Sequence, residues 1–90
     1  MHQNDFSFEI TQKIPHQLGR AGIIHTPHGD IQTPAFMCVG TRGQVPFLPM
    51  EDLHRIGGQA MLSNGYHLRK TSYEIANQGG LAQWSGWHGP

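Results

Sequence analysis

Three polar side chains that could take part in binding or proton transfer stand close together in the second half of the chain. Asn64, Tyr66 and His67 follow the short apolar run 60–62. An amide donates and accepts hydrogen bonds, and an imidazole also exchanges a proton near neutral pH. If residues 60–62 form a parallel strand, these side chains lie at its carboxyl end, where barrel enzymes hold their active sites.

The same stretch allows a second interpretation. The dipeptide Asn64-Gly65 is a strong signal for a hairpin turn. A hairpin needs a returning strand over residues 66–70, but that segment alternates poorly and leads into a helix signal. The pattern therefore favours a strand end followed by a loop, with the hairpin as the alternative.

A glycine-bearing loop follows the earlier apolar run, residues 35–39. Gly40 and Gly43 bracket Thr41 and Arg42, a spacing that could offer backbone N–H groups to a phosphate. The loop lacks the Lys-Ser/Thr of a P-loop and the third glycine of a dinucleotide fingerprint. Its position after a strand nevertheless favours a loop that faces a ligand.

Other side chains have the types found in reactive or binding sites. His25 and His28 are spaced as a metal pair, but no Cys, Asp or Glu lies at a telling distance, so turn histidines are favoured. Cys38 could be a nucleophile, yet a thiol within an apolar run is usually buried and inert. Trp84 and Trp87 could stack on nucleobases, but their spacing beside a helix end favours packing.

The elements that must position these residues begin with antiparallel strands. Residues 6–11 alternate apolar and polar side chains, as in a half-buried strand. Residues 22–34 predict a hairpin with its turn at 27–30, where Gly29 can take a positive φ. The continuous apolar run 35–39 predicts a strand that is buried on both faces.

Helix signals lie after each apolar run. The first helix is predicted with Pro49 at its first position and glycines 57–58 beyond its end. Thr71 and Glu74 have the spacing of a capping box for a second helix, which glycines 79–80 would stop. Strands that alternate with helices in this way indicate a parallel β/α arrangement.

These patterns predict an α/β protein. Residues 1–34 are expected to form N-terminal antiparallel strands with a hairpin, and residues 35–90 the first units of an incomplete parallel β/α fold such as a TIM barrel. A complete barrel takes about 250 residues. The chain also stops at Pro90, after a helix and where another strand is due. We therefore expect the N-terminal part of a larger enzyme.

Composition excludes few classes of protein. Lys and Arg total 6, and Asp and Glu total 6, so net charge gives no argument for a nucleic-acid or membrane partner. The single cysteine excludes an internal disulfide and fits a reducing compartment. Neither a signal peptide nor an apolar run long enough for a membrane helix is visible. The expectation is a cytoplasmic protein that has no membrane partner.

Taken together, the motifs resemble a known enzyme family. Residues 33–41, TPAFMCVGT, resemble the TPAFMPVGT segment of the tRNA-guanine transglycosylases, also called queuine tRNA-ribosyltransferases. Residues 62–68, LSNGYHL, resemble their LGNTYHL. The helix at 49–58 and the segments 79–81 and 86–90 occur in the same order, so the resemblance covers nearly the whole chain.

The resemblance implies a (β/α)8 barrel with an added N-terminal antiparallel sheet. It also implies that guanine in tRNA is exchanged for a 7-deazaguanine base, either preQ1 or queuine. In the family an aspartate attacks the ribose C1′ and expels guanine, and a second aspartate assists base recognition and proton transfer. Catalytic residues are expected just beyond Pro90, in a TDSGG-like motif, and none within this chain. No cofactor is implied for residues 1–90, and a structural zinc is expected in the C-terminal part of the full protein.

The resemblance further implies roles for four residues of this chain. Val39, Leu62 and Asn64 correspond to residues that wall the ribose and base pocket, and His67 to a histidine in a nearby polar network. Val39 and Leu62 would exclude water from the reacting bond. Asn64 would donate to a carboxylate or ribose oxygen, with His67 fixing its orientation.

Three departures from the family pattern bear on these expectations. Gly65 stands where the family has Thr, Cys38 stands where it has Pro, and the segment 68–73 is shorter. That segment belongs to a homodimer contact in the family, so a homodimer is possible here but not favoured.

The alternatives are a non-catalytic barrel subunit or tRNA-binding relative, and a small free-standing β-rich binding module.

Overall fold

A computed structural model describes residues 5–90; residues 1–4, the start of the predicted N-terminal sheet region, lie outside the described residues. The elements, in chain order, are β1 (Ser7–Lys13), β2 (Arg20–Thr26), β3 (Gly29–Thr33), β4 (Cys38–Val39), α1 (Met50–Arg55), β5 (Met61–Leu62), α2 (Gly65–Leu68), a 3₁₀ turn (Arg69–Thr71), α3 (Ser72–Asn77) and α4 (Leu81–Ser85).

The first three strands form the predicted antiparallel sheet, in the order β1-β2-β3. In the β2–β3 hairpin Ile24 lies opposite Ile31, and Gly29 has the expected positive φ of 140°. The predicted turn at 27–30 is two residues too long, because Gly29 and Asp30 both lie in β3, with Asp30 opposite His25. The shorter turn brings these two side chains onto one face of the sheet.

The first strand departs from the prediction in its burial. β1 pairs with β2 from Ser7 to Lys13, but all of its residues are exposed rather than alternately buried. β1 is an edge strand, and within the described residues β2 is the only strand with which it pairs. Its apolar side chains, which include Phe8, therefore lie open to solvent.

A second sheet consists of β4 and β5, which pair in parallel with α1 between them. This pairing confirms the predicted β/α pattern of the second half. The prediction of a strand over 35–39 that is buried on both faces is wrong, since only residues 38–39 pair and Phe36 is 80% exposed. Within residues 5–90 the sheet has two strands and so cannot bury both faces.

The predicted helix α1 is present, with a different role for its proline. Pro49 has φ −60° and ψ 147° and is the N-cap residue, not the first helical residue. The helix ends at Arg55, and Gly57 follows with a φ of 94°. Leu53 is the most deeply buried large side chain, at 2% exposure, and is packed against Gly58.

The last third of the chain is more helical than predicted. α3 is present and ends before Gly79 as expected, but the capping box is absent. The hydroxyl of Thr71 donates instead to the Leu68 carbonyl at 3.0 Å, and the Glu74 carboxylate accepts from the indole nitrogen of Trp84 at 3.1 Å. The sequence interpretation also missed α4, which ends at Ser85 and is followed by Gly86 with a φ of 82°.

Few side chains are fully buried. The buried apolar residues are Ile31 in β3, Leu53 in α1, Ala60 directly before β5 and Leu68 in α2. Within residues 5–90, no helix is long and apolar enough to cross a membrane. The predicted division of the chain at residue 34 stays a prediction.

Candidate functional site

The candidate site lies where β4 and β5 end side by side. Cys38 is opposite Met61 and Val39 is opposite Leu62, and the Gly40 N–H continues the ladder with a 2.7 Å hydrogen bond to the Leu62 carbonyl. Parallel strands place their carboxyl ends at one edge of a sheet. The segments that follow the two strands therefore meet at this edge.

Two further hydrogen bonds tie these segments together. The Asn64 N–H donates to the Thr41 carbonyl at 3.0 Å, and the Ser63 hydroxyl donates to the Gly40 carbonyl at 2.9 Å. Ser63 was not among the predicted site residues, although its position directly after β5 marks it by the same rule as Asn64. These bonds fix the position of Asn64 relative to the β4–α1 loop, residues 40–49.

The two predicted apolar walls are neighbours. Val39 and Leu62 are directly opposite in the parallel register, so their side chains point to the same face of the sheet. They are 56% and 52% exposed. The other face carries Cys38 and Met61, which are half-buried. Val39 and Leu62 thus form an open apolar patch at the carboxyl edge.

Asn64 has a structural task that the sequence interpretation did not foresee. Its Oδ1 accepts from the N–H groups of Tyr66 at 2.9 Å and His67 at 3.3 Å, which makes Asn64 the N-cap of α2. Asn-Gly here starts a helix, so the hairpin alternative is wrong and the expected loop is a helical turn. Within residues 5–90 the Asn64 Nδ2 group donates no hydrogen bond.

His67 contributes through its backbone rather than its ring. The His67 N–H fixes the Asn64 oxygen, whereas the imidazole packs edge-on against the Tyr66 ring, with centroids 5.6 Å apart. The expected side-chain contact between His67 and Asn64 does not occur among the described residues. The His67 side chain is exposed on α2, and the Asn64 side chain is exposed at the N-cap of the same helix. The buried Leu68 anchors this helix.

The Tyr66 ring also contacts an arginine side chain, that of Arg69. The Arg69 guanidinium carbon lies 4.1 Å from the centroid of the Tyr66 ring, and Arg69 Nη1 donates to the Tyr66 carbonyl at 2.8 Å. A cation above a tyrosine ring is a favourable contact. Tyr66 and Arg69 therefore stabilise the turn that follows Asn64.

The glycines of the β4–α1 loop have packing roles. Gly43 is buried with a φ of 86°, and a Cβ at this position would lie 2.7 Å from Cζ3 of Trp84. Its N–H donates to the Gly40 carbonyl at 2.9 Å, so it is not offered to a phosphate. The loop nevertheless borders a hollow of about 390 Å³ that begins at Val39 and is lined by Val39, Thr41, Arg42, Gln44 and Pro46.

The two tryptophans pack, as predicted. Trp84 covers Gly43 and donates to Glu74. The Trp87 ring lies 4.6 Å from the His54 ring, and its Nε1 donates to the Pro90 carbonyl at 2.9 Å. These contacts use both indole N–H groups inside the chain.

The histidine pair of the hairpin does not converge on a common point. His25 donates from Nδ1 to Asp30 and from Nε2 to Glu9, both at 2.9 Å, while the His28 N–H bonds the Thr26 hydroxyl in the turn. The hydrogen bond to Glu9, followed by that to Asp30, raises the pKa of His25 above its ordinary value of 6.5.

Metal ligands do not gather in the part of the chain that the structure describes. Within residues 5–90, no three His, Cys, Asp or Glu side chains are grouped to hold a metal ion. Cys38 is half-buried beside Met61, on the face of the sheet opposite Val39 and Leu62. The predicted zinc, expected outside this chain, stays a prediction.

The fold and the site together define a β/α protein with a preceding antiparallel sheet, of the kind that binds ligands at the carboxyl ends of parallel strands. The model of one protein family, described as queuine tRNA-ribosyltransferase, matches residues 16–90. The chain therefore belongs to the queuine tRNA-ribosyltransferase family.

Individual relatives agree with this assignment. Proteins named queuine tRNA-ribosyltransferase from Synechococcus sp. (strain CC9902), Roseiflexus sp. (strain RS-1) and Rickettsia canadensis (strain McKiel) are 49%, 45% and 45% identical to this chain. The matches cover 94%, 93% and 94% of this chain but 23%, 22% and 24% of the relatives. The chain thus spans about a quarter of the length of the curated relatives it matches.

Proposed function

We propose that this chain is the N-terminal part of a cytoplasmic tRNA-guanine transglycosylase built on a (β/α)8 barrel. The enzyme exchanges guanine in tRNA for a 7-deazaguanine base, preQ1 or queuine. The observation that carries the proposal is the geometry at one sheet edge of a family member. Val39 and Leu62 lie side by side there, and Asn64 is tied to the same edge by its backbone.

Val39 and Leu62 are proposed to form one wall of the ribose and base pocket. Their exposed side chains form a continuous apolar surface across two strands. Such a surface excludes water and strengthens electrostatic interactions at the reacting glycosidic bond. It fits the flat face of a base or the carbon face of a ribose.

Asn64 is proposed to bind the substrate or the catalytic carboxylate with its amide nitrogen. Its oxygen is held by the backbone of α2, so Nδ2 has a fixed direction and only donates. A carboxylate or a ribose oxygen is a suitable acceptor. His67 is proposed to support this arrangement from α2, where its N–H orients the Asn64 oxygen.

The nucleophile of the proposed reaction is an aspartate outside residues 1–90. It attacks the ribose C1′, the bond to guanine breaks, and the 7-deazaguanine base then displaces the aspartate to restore the glycosidic bond. The structural zinc is likewise proposed for a later segment. On this proposal the 90-residue chain alone has no base-exchange activity.

Two measurements test the proposal. The coding sequence beyond Pro90 should contain a Thr-Asp-Ser-Gly-Gly-like motif within a few residues, and the complete protein should incorporate labelled guanine into tRNA. A barrel continuation without the aspartates would show a non-catalytic subunit or tRNA-binding relative instead. Incorporation of guanine by the purified 90-residue chain would contradict the assignment of the nucleophile.

A further inference from the structure

The tightest turn of the β4–α1 loop holds an aromatic side chain in an unfavourable backbone conformation. Phe47 has a φ of 64°, a region that bulky side chains avoid. The other non-glycine residue with positive φ among residues 5–90 is His16, a type that tolerates it better. Phe47 is also fully exposed, so no burial within the chain offsets the strain.

The turn is built to hold this ring in place. The Leu48 N–H donates to the Val45 carbonyl at 3.2 Å, and Pro46 fixes the backbone at the first of the two central positions. The loop before the turn is anchored by Gly43 beneath Trp84. Strain that is maintained at an exposed, well-anchored position points to a functional role for the side chain.

The same loop offers an unpaired positive charge. Arg42 is exposed, and it forms no ion pair among the residues that the structure describes. Residues 40–49 contain neither Asp nor Glu. The nearest acidic residues along the chain, Glu51 and Asp52, lie in α1, where Asp52 is paired with Arg55 at 2.9 Å.

Arg42 and Phe47 line two neighbouring hollows of the β4–α1 loop, and the hollow that includes Arg42 also includes Val39. The hollow that begins at Val39 includes Arg42 and Gln44. Gln44 also lines a neighbouring hollow of about 420 Å³ whose wall includes Phe47. The two hollows share Gln44 in their linings and so adjoin along the loop, which gives a path from Val39 past Arg42 to Phe47.

We propose that this path is an RNA-binding track in which Arg42 contacts a backbone phosphate and Phe47 stacks on an unpaired base next to the reacting nucleotide. A cation and an exposed aromatic ring along one groove are the typical elements of single-stranded nucleic-acid binding. The inference rests on the proposed function, which supplies an RNA substrate at Val39. It deepens that function, because it assigns binding of the flanking nucleotides to this loop.

Substitutions in the complete protein test the track. The affinity for a fluorescein-labelled tRNA anticodon stem-loop is measured by fluorescence anisotropy over a range of salt concentrations. Phe47→Gly fits the positive φ and should weaken binding roughly tenfold, within the range for one lost stacked base. Phe47→Leu keeps apolar bulk but loses stacking and should weaken binding similarly, whereas Phe47→Tyr should bind like the parent protein.

The role of the Arg42 charge is tested by measuring how the affinity for the RNA depends on salt concentration. Arg42→Gln should reduce the slope of log affinity against log salt by about 0.7, the value for one lost phosphate contact with a single strand. Arg42→Lys should restore most of the slope. Phe36→Leu, at an exposed position before β4, and Arg55→Gln, in the Asp52 ion pair, are matched controls that should leave binding unchanged.

The outcomes separate this inference from the proposed function. If the parent protein exchanges base and binds RNA while Phe47→Gly and Arg42→Gln bind equally well, the track is refuted and the function stands. If the Phe47 variants change the oligomeric state seen by sedimentation but not the affinity for RNA, the turn is a protein interface and the track is refuted. A complete parent protein that neither binds RNA nor exchanges base overturns both.

Discussion

The side chain of Gln59 forms two hydrogen bonds with the backbone of Gln32. The Gln32 N–H donates to Oε1 of Gln59 at 2.7 Å, and Nε2 of Gln59 donates to the Gln32 carbonyl at 3.0 Å. Gln32 belongs to β3, an edge strand of the antiparallel sheet. Gln59 therefore satisfies backbone groups that a further strand would otherwise pair, and it joins this sheet to the segment that leads into β5.

Replacing Gln59 by Glu should weaken this junction. A carboxylate still accepts from the Gln32 N–H but cannot donate to its carbonyl, and the loss should be about 1 kcal/mol of unfolding free energy. Urea denaturation of the protein at neutral pH measures it. Gln17→Glu makes the same change in charge at an exposed turn position and should leave stability nearly unchanged. Equal effects in both variants would show that Gln59 does not join the two sheets.

Gly43, in the β4–α1 loop, should tolerate substitution poorly. Gly43→Ala combines a positive φ, which costs about 1–2 kcal/mol for a residue with a side chain, with a clash against Trp84, whose ring atom lies 2.7 Å from the new Cβ. Gly57→Ala is the matched control, since its φ is 94° but nothing lies within 4 Å. The difference between the two variants, measured by thermal denaturation, isolates the clash. Equal destabilisation would mean that Trp84 moves aside without cost.

The sequence predicted the order of elements from β1 to β5 because its strongest local signals act over short distances; α2 and α4 were not predicted. The turn at Gly29, the glycines after α1 and the apolar runs that became β4 and β5 all depend on backbone preferences of nearby residues. These signals sufficed to predict two parallel strands, and the structure pairs Val39 with Leu62. The choice of these two residues as pocket walls came from the family resemblance and stays a prediction.

Contacts between residues far apart in the chain could not be predicted from these local signals. The capping box at Thr71 failed because the Glu74 carboxylate bonds Trp84 instead. The hydrogen bonds between Gln59 and Gln32 join residues 27 positions apart in the chain. The packing of Trp84 over Gly43 joins residues 41 positions apart. At Asn64 the hairpin signal was a helix cap, since Asn is favoured in both settings and the geometry of β5 decides between them.

Gly65 should accept a larger side chain and gain stability. It is the first residue of α2, its φ is not positive, and a Cβ would meet nothing within 4 Å. Gly65→Ala should therefore stabilise the protein by about 0.5 kcal/mol, because the unfolded chain loses freedom, and Gly65→Thr, the residue of the family motif, should at least be tolerated. Gly86→Ala, at a φ of 82° in equally open space, should destabilise. Differential scanning calorimetry of the three variants checks the opposite signs.

Asn64 should reveal separate roles for its two amide atoms. Asn64→Ala removes the cap of α2 and should cost about 1 kcal/mol of stability, together with activity of the complete protein. Asn64→Asp keeps the acceptor that bonds Tyr66 and His67 but removes the donor. It should retain stability and still lose base-exchange turnover if Nδ2 contacts the substrate or nucleophile. Full turnover in Asn64→Asp would limit Asn64 to capping the helix.

His25 should make the stability of the antiparallel sheet depend on pH. Both of its ring nitrogens lie 2.9 Å from carboxylate oxygens, of Glu9 and Asp30. Because ionised carboxylates only accept hydrogen bonds, the two bonds form together only when both ring nitrogens carry protons, which is the imidazolium form. The pKa of His25 is accordingly raised above 6.5, first by the hydrogen bond to Glu9 and then by that to Asp30.

The sign of the effect follows from this raised pKa. A histidine that binds its proton more tightly when folded contributes stability that is fully present below the unfolded pKa of 6.5 and is lost as the pH rises through the folded pKa. The difference in unfolding free energy between the parent protein and His25→Gln should therefore shrink as the pH rises over the range from 6.5 to beyond the raised pKa of folded His25. His28→Gln, in the adjacent turn and without a carboxylate contact among residues 5–90, should show no such dependence. A parent-to-variant difference that stays constant over this range would mean that the imidazolium does not hold β1 and β3 to β2.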